Sequence, residues 1–291
     1  MRNETSTMSS ATLLLGGTPV VGPLQAIRRH PSPSVCKDMQ TKADSDAIFV
    51  TSWDEGHPWD LKLAELLDRL AFPATFFVPG RNPNRSAQHA DMPVVSASEL
   101  RQLASAFEVG AHTLDCCPLN EVPDSEAARQ IVEGKGLLED VLGDPVFGFC
   151  YPGGRFQAKH ARMVQDAGYL YARSVKDLCG SPDSNRYAVP TTMEFYPHPS
   201  SALFKSYLRF GEWAERAALL RAVVSQPSLG ARVRAALDHV CDRGGTFHLW
   251  GRSWQIEAFS GWSLLEDFLR YAAERIPPER RFDNFEAYGL A

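Results

Sequence analysis

A parallel α/β fold, curled as an incomplete barrel rather than opened into a doubly wound sheet, is the class this sequence predicts. Three observations carry it. Apolar strand-like runs alternate with helical periodicity from residue 48 to residue 275. The count is about six or seven strand–helix units, which suits a barrel. No glycine-rich dinucleotide fingerprint follows the first run.

The elements follow in order. "IFVTSW" is an apolar, β-branched strand, and "DLKLAELLDRL" places Leu63, Leu66, Leu67 and Leu70 on one side of a helix. "ATFFV" is the next strand, so the first unit is βαβ and its strands parallel. Ser96 and Glu99 form a capping box that opens a helix to about residue 106, leading into "FEVGA". "DSEAARQIVEGKGLLEDVL" predicts a helix despite two internal glycines, and "PVFGFCYPGG" a strand that ends in a turn. Helix "AKHARMVQDAG", strand "YLYARSV" and a loop over 177–201 come next. Residues 203–243 are mostly helical by pattern, "GTFHLWG" is a strand, and "WSLLEDFLRYAAER" is a closing amphipathic helix.

Composition narrows the function. Thirty basic and thirty-five acidic residues give a formal charge of −5 without a basic block, which argues against a nucleic-acid partner. Residues 1–45 mix Ser, Thr, Pro and Gly with little periodicity and are expected to form a disordered leader, with the barrel domain at 46–291. The apolar stretch "ATLLLGGTPVVGPL" is too short to span a bilayer, and Arg28 and Arg29 follow it rather than precede it. Six cysteines without CxxC spacing read as free thiols. The expectation is therefore a cytoplasmic protein with no membrane partner.

Unusual residues gather at four strand ends, which in either parallel architecture face a common mouth. Asp54, Glu55 and His57 follow the first strand. His112 and Cys116 follow the third, Tyr151 to Gly154 the fourth, and His248 and Arg252 flank the last. If the chain turns helically after "VGAH", His112 and Cys116 at i, i+4 project from one face, and Glu55 supplies a third donor. Three protein ligands with an open position form a catalytic zinc arrangement, and Asp54 would act as a base on water. The competing reading makes Asp54 a helix cap, His112 a core histidine and Cys116 an apolar filler. Trp53, Trp59, Trp250 and Trp254 are expected to pack the mouth, where an indole face also stacks a sugar.

"SWDEGHP", "GAHTLDCCPL", "FCYPGG" and "HLWGRSWQ" stand in the same order as "SWDDGHP", "GAHTLNHPDL", "FCYPGG" and "HLWGHSWE". The chain thereby resembles the polysaccharide deacetylases with the NodB homology domain, carbohydrate esterase family four, over roughly residues 46–275. The resemblance implies a distorted (β/α)7 barrel. It also implies metal-assisted hydrolysis of an N-acetyl or similar acyl group on an amino sugar, oligosaccharide or small acylated amine.

By position Asp54 resembles the general base, and Glu55, His112 and Cys116 occupy the three ligand positions for one divalent ion, zinc by their softness. Gly153 lies in the turn that resembles the oxyanion-binding loop, Arg252 stands where the general acid is expected, and Tyr151, Trp250 and His57 are the substrate-facing candidates. Three positions depart from the pattern: Glu55 replaces Asp, Cys116 replaces His and Arg252 replaces His. Arginine does not give up its proton near neutrality, so Arg252 is left with an electrostatic role, and the expectation is either a slow enzyme without the acid or one in which His248 or His57 substitutes. A catalytically silent sugar- or partner-binding barrel, or different metal chemistry on the Glu/His/Cys set, stays open beside the hydrolase.

Overall fold

The computed structural model describes residues 46–81, 93–181 and 185–289, and the expected leader at 1–45 lies outside them. β1 (Ile48–Asp54), β2 (Thr75–Val78), β3 (Glu108–Ala111), β4 (Gly148–Cys150), β5 (Tyr171–Arg173), β6 (Met193–Glu194) and β7 (Thr246–Gly251) form one parallel sheet in the order β5-β4-β3-β2-β1-β7-β6. A short β8 (Arg281–Phe282) adds to β1. The edges β5 and β6 are linked by the intervening loop: Ser174 N–H donates to Val189 O, Val189 N–H to Ala172 O, and Thr192 N–H to His248 O. The strands thus curl into a half-barrel wrapped by helices, the distorted barrel the sequence predicts.

The helices fall where the apolar periodicity puts them. α1 (Trp59–Arg69) buries Leu63, Leu66 and Leu67; α2 (Ala97–Ala104) begins at the Ser96/Glu99 capping box, with Ser96 N–H donating to Glu99 at 2.6 Å. α3 (Asp124–Leu142), α4 (Ala158–Asp166), α5 (Ser200–Phe210), α6 (Trp213–Val224), α7 (Leu229–Cys241) and α9 (Trp262–Arg275) complete the wrapping. Not foreseen were β6, β8, the short α8 (Ser253–Ala258) and a π-helical turn at Phe285–Gly289, all too short to show a period.

Side-chain alternation sorts each strand into two layers. On β1, Phe49 and Trp53 join the large core between sheet and helices, whereas Val50 packs with Phe77, Cys150, Tyr171, Val189 and Tyr288 inside the barrel. Ser52 and Asp54 share the inward parity of Val50. Ser52 Oγ is hydrogen-bonded to His248 Nε2 at 2.9 Å across the interior. The functional groups are therefore carried inward at the C-terminal end of the barrel.

Candidate active site

β1 stops in a left-handed corner. Glu55 has φ 84° and Gly56 φ 61°, and a Cβ on Gly56 would lie 2.7 Å from Val78 Cγ1, so only glycine fits. The corner splits the two adjacent carboxylates. Asp54 continues the strand and points inward, 1% exposed. Glu55 turns toward α8, where Arg252 Nε donates to Oε1 at 2.6 Å and Trp254 Nε1 to Oε2 at 2.9 Å.

Asp54 pairs with Arg173 of β5, both side chains essentially inaccessible. The Cys150 thiol approaches the same carboxylate at 3.9 Å. Burial pushes the Asp54 acid up, but the charges of Arg173, first, and Arg252 outweigh it and hold the carboxyl below its ordinary value. Arg173 also lies 4.8 Å from the Trp250 ring, with Arg252 5.2 Å away. Trp250 is therefore the apolar platform under both guanidinium groups.

His112 leaves the end of β3, and its Nδ1–H donates to the Cys150 carbonyl at 3.0 Å. Burial moves its pKa down, toward a neutral ring whose Nε2 is available as a ligand. The helical turn expected for 112–116 does not form. Thr113 (φ 61°) and Cys116 (φ 54°) are left-handed, and Thr113 Oγ1 accepts the Cys117 N–H at 2.9 Å, so the side chain replaces a helical backbone bond. α3 makes room for this loop at Gly134, where a Cβ would lie 2.7 Å from the Thr113 carbonyl carbon. Cys116 remains near Glu55 and Arg252, and burial pushes its thiol far up.

Among the described residues Asp54, His112 and Cys150 form a donor cluster whose ligand atoms all lie within 4.8 Å of one another. Oxygen, nitrogen and sulfur donors with a histidine fixed through its second nitrogen fit one divalent ion, zinc foremost. His112 is common to this cluster and to the Glu55/His112/Cys116 set expected by position. Arg173 and Cys150 were not singled out from the sequence. The available signal was an arginine at inward parity on a short apolar strand, "YAR", two residues after Tyr171.

The remaining candidates divide. Gly153 (φ 59°), Trp250 and Arg252 line one cleft of about 240 Å³, together with Glu194 and His198. Tyr151 turns into the core, its ring stacked on Phe156 at 3.8 Å and its hydroxyl donating to Tyr187 O, which leaves only its backbone at the mouth. His57 is 9% exposed and accepts the Trp59 N–H at Nδ1. His248 lies inside the barrel between Ser52 and Tyr288, and burial drives its pKa down to about 3.

Comparison with known proteins adds to this geometry. Residues 41–172 match the model of the polysaccharide deacetylase family. YxkH of Bacillus subtilis (strain 168), a polysaccharide deacetylase by name, is 19% identical over 171 residues, 58% of this chain and 59% of that protein. The chain thus spans little more than half of that relative. A crystal structure from Mycobacterium smegmatis, also named as a polysaccharide deacetylase, superposes with TM-score 0.55 at 16% identity over 80% of this chain and 86% of its own. The allantoinase PuuE superposes equally well, TM-score 0.55 at 13% identity, covering 82% of this chain and 87% of its own. At these identities the two structures share the fold.

Proposed function

From the premise that residues 41–172 match the polysaccharide deacetylase family, we propose that the chain is a metal-dependent hydrolase that removes an acetyl or similar acyl group from nitrogen. Its substrate is an amino sugar, an oligosaccharide or a small acylated amine. The observation that carries this reading is the buried carboxylate of Asp54, kept ionised by Arg173 beside the neutral imidazole of His112.

Asp54 takes the proton from the attacking water, a role that needs a carboxylate ionised at neutral pH. Arg173 positions it and keeps it ionised before water attacks. A divalent ion, held by His112 together with either Asp54 and Cys150 or Glu55 and Cys116, would polarise the acyl oxygen as a Lewis acid. Arg252 faces the cleft as a fixed cation for developing negative charge, and the side-chain-free Gly153 allows close backbone approach to the same oxygen. Trp250 offers an apolar wall.

A second reading has its own observation. Glu55 is already neutralised by Arg252, which favours a silent barrel that binds a sugar or a partner through the same cleft. Acetate release from a panel of N-acetylated sugars and amines separates the two. Release by the wild type and its loss in Asp54→Asn supports the hydrolase; binding without release supports the silent barrel. Cys116, Cys117, Cys150 and Cys179 are free thiols, in keeping with a cytoplasmic location, and no helix among the described residues is long and apolar enough to cross a membrane.

A further inference from the structure

Breaking an amide requires a proton for the departing nitrogen, and Arg252 cannot give one near neutrality. The described histidines narrow the source. His248 is sealed inside the barrel, His112 is committed to the Cys150 carbonyl, and His57 accepts a backbone N–H at Nδ1. His160 bonds the Gln157 N–H on α4, and His239 lies against Arg243 at the end of α7. His198 alone among them lines the cleft that holds Gly153, Trp250 and Arg252.

Its setting is built rather than incidental. His198 Nε2 meets Glu194 Oε2 at 2.7 Å, Glu194 Oε1 accepts from Arg252 Nη1 at 2.8 Å, and Arg252 Nε reaches Glu55 at 2.6 Å. The imidazole is thus joined to the Asp54–Glu55 corner through one continuous chain of charged contacts. The backbone is fixed as well: Arg232 Nη1 donates to His198 O at 2.5 Å, and the His198 N–H donates to Tyr196 O at 2.8 Å. With Nε2 tied to a carboxylate, Nδ1 is the nitrogen left for a substrate, in the manner of a base oriented by a third group.

We propose that His198, oriented by Glu194, is the acid that protonates the leaving amine. The inference rests on the hydrolase reading above and adds a residue to it. Water oxygen bonds to the acyl carbon while one of its protons passes to Asp54. The C–N bond then breaks, its electron pair stays on nitrogen, and nitrogen takes the Nδ1 proton of the His198 imidazolium. The products are the carboxylic acid and the amine, and the proton on Asp54 returns through solvent to His198.

An acid is needed only when the leaving group is poor, so the test is a comparison of leaving groups. The wild type, His198→Asn and, as background, Asp54→Asn would be assayed on N-acetylglucosamine oligomers and on 4-nitrophenyl acetate. We expect His198→Asn to lower kcat on the amide about 10²–10³-fold, within the usual worth of general acid catalysis. Ester hydrolysis above background should stay within about twofold. An unchanged amide rate overturns the proposal, as does an equal loss on amide and ester, which marks a structural role. A wild type inactive on the amide overturns the deacetylase reading itself, and this proposal with it.

Discussion

Asp54 and Arg173 stand 119 residues apart in sequence, yet their side chains, 2% and 0% exposed, form a buried ion pair at the C-terminal end of the barrel. Neither residue is explained by stability alone. Desolvating two charges costs several kcal/mol each, and their attraction returns that only in good geometry. The arrangement makes sense as a way to keep a carboxylate ionised where water is scarce.

Removing the cation should therefore be worse than removing both charges. Arg173→Met leaves Asp54 buried and uncompensated, and we expect a loss of about 3–5 kcal/mol in urea unfolding, with activity abolished. Asp54→Asn/Arg173→Met should recover much of the stability and none of the activity. The sign with pH follows from the direction of the shift. A carboxyl held below its ordinary value of 3.8 stabilises the fold above that value, and the contribution is lost as pH falls through the lower folded pKa. Stability–pH curves of the wild type should show this acid loss, and the double variant should show less of it.

Zinc content distinguishes the two donor sets that share His112. Elemental analysis of the purified wild type should give about one zinc per chain, and His112→Ala should lose it. Loss in Cys150→Ala but not in Cys116→Ala assigns the ion to the cluster with Asp54; the reverse assigns it to Glu55 and Cys116. Wild-type protein that stays metal-free after zinc loading would sink the mechanism as written.

The barrel and its mouth were legible because a parallel strand buried on both faces is a near-continuous apolar run, and "IFVTSWD" is buried from Phe49 to Asp54. Helix α1 was legible from its leucine spacing and α2 from its capping box. β6, of two residues, has no period to read, and its place is set by pairing with β7. At the site, position in sequence shows which residues reach the mouth but not how they pair there. Arg173 lies on a strand edge far along the chain, and nothing in "YARSV" names Asp54 as its partner. The left-handed Thr113 and Cys116 were likewise invisible, because neither residue type announces a positive φ.

Asp60 places a second carboxyl in this region that works in the opposite sense. It is fully buried in the first turn of α1, beside the Ser253 hydroxyl, and neither of its oxygens makes a hydrogen bond of good geometry. Burial, helped by the charges of Asp54 and Glu55 and opposed by the Ser253 hydroxyl, pushes its pKa up to about 8. The folded state then holds a proton that the unfolded chain has released above about pH 4, so stability falls as pH rises toward 8 and the full penalty is present above it. Asp60→Asn should flatten that fall and raise the unfolding free energy at pH 9 relative to the wild type. An unchanged slope between pH 5 and pH 9 would show that Asp60 is ionised in the fold.

Two glycines of α3, two residues apart, should respond in opposite directions. Gly136 has open space where a Cβ would go, so Gly136→Ala gains helix propensity and should stabilise the protein by about 0.5–1 kcal/mol. A methyl on Gly134 would meet the Thr113 carbonyl carbon at 2.7 Å and Leu114 N at 2.8 Å. Backbone cannot yield there as a flexible side chain would, so α3 or the loop must shift. The loop carries His112 and Cys116, whereas the helix is anchored along its length by Ala127, Ile131 and Leu138 in the core. The displacement should therefore fall on the loop. Gly134→Ala is expected to lower zinc content and hydrolysis together while circular dichroism keeps its helical signal. A Gly134→Ala variant with full metal content would show that the close approach of α3 is not what holds His112 in place.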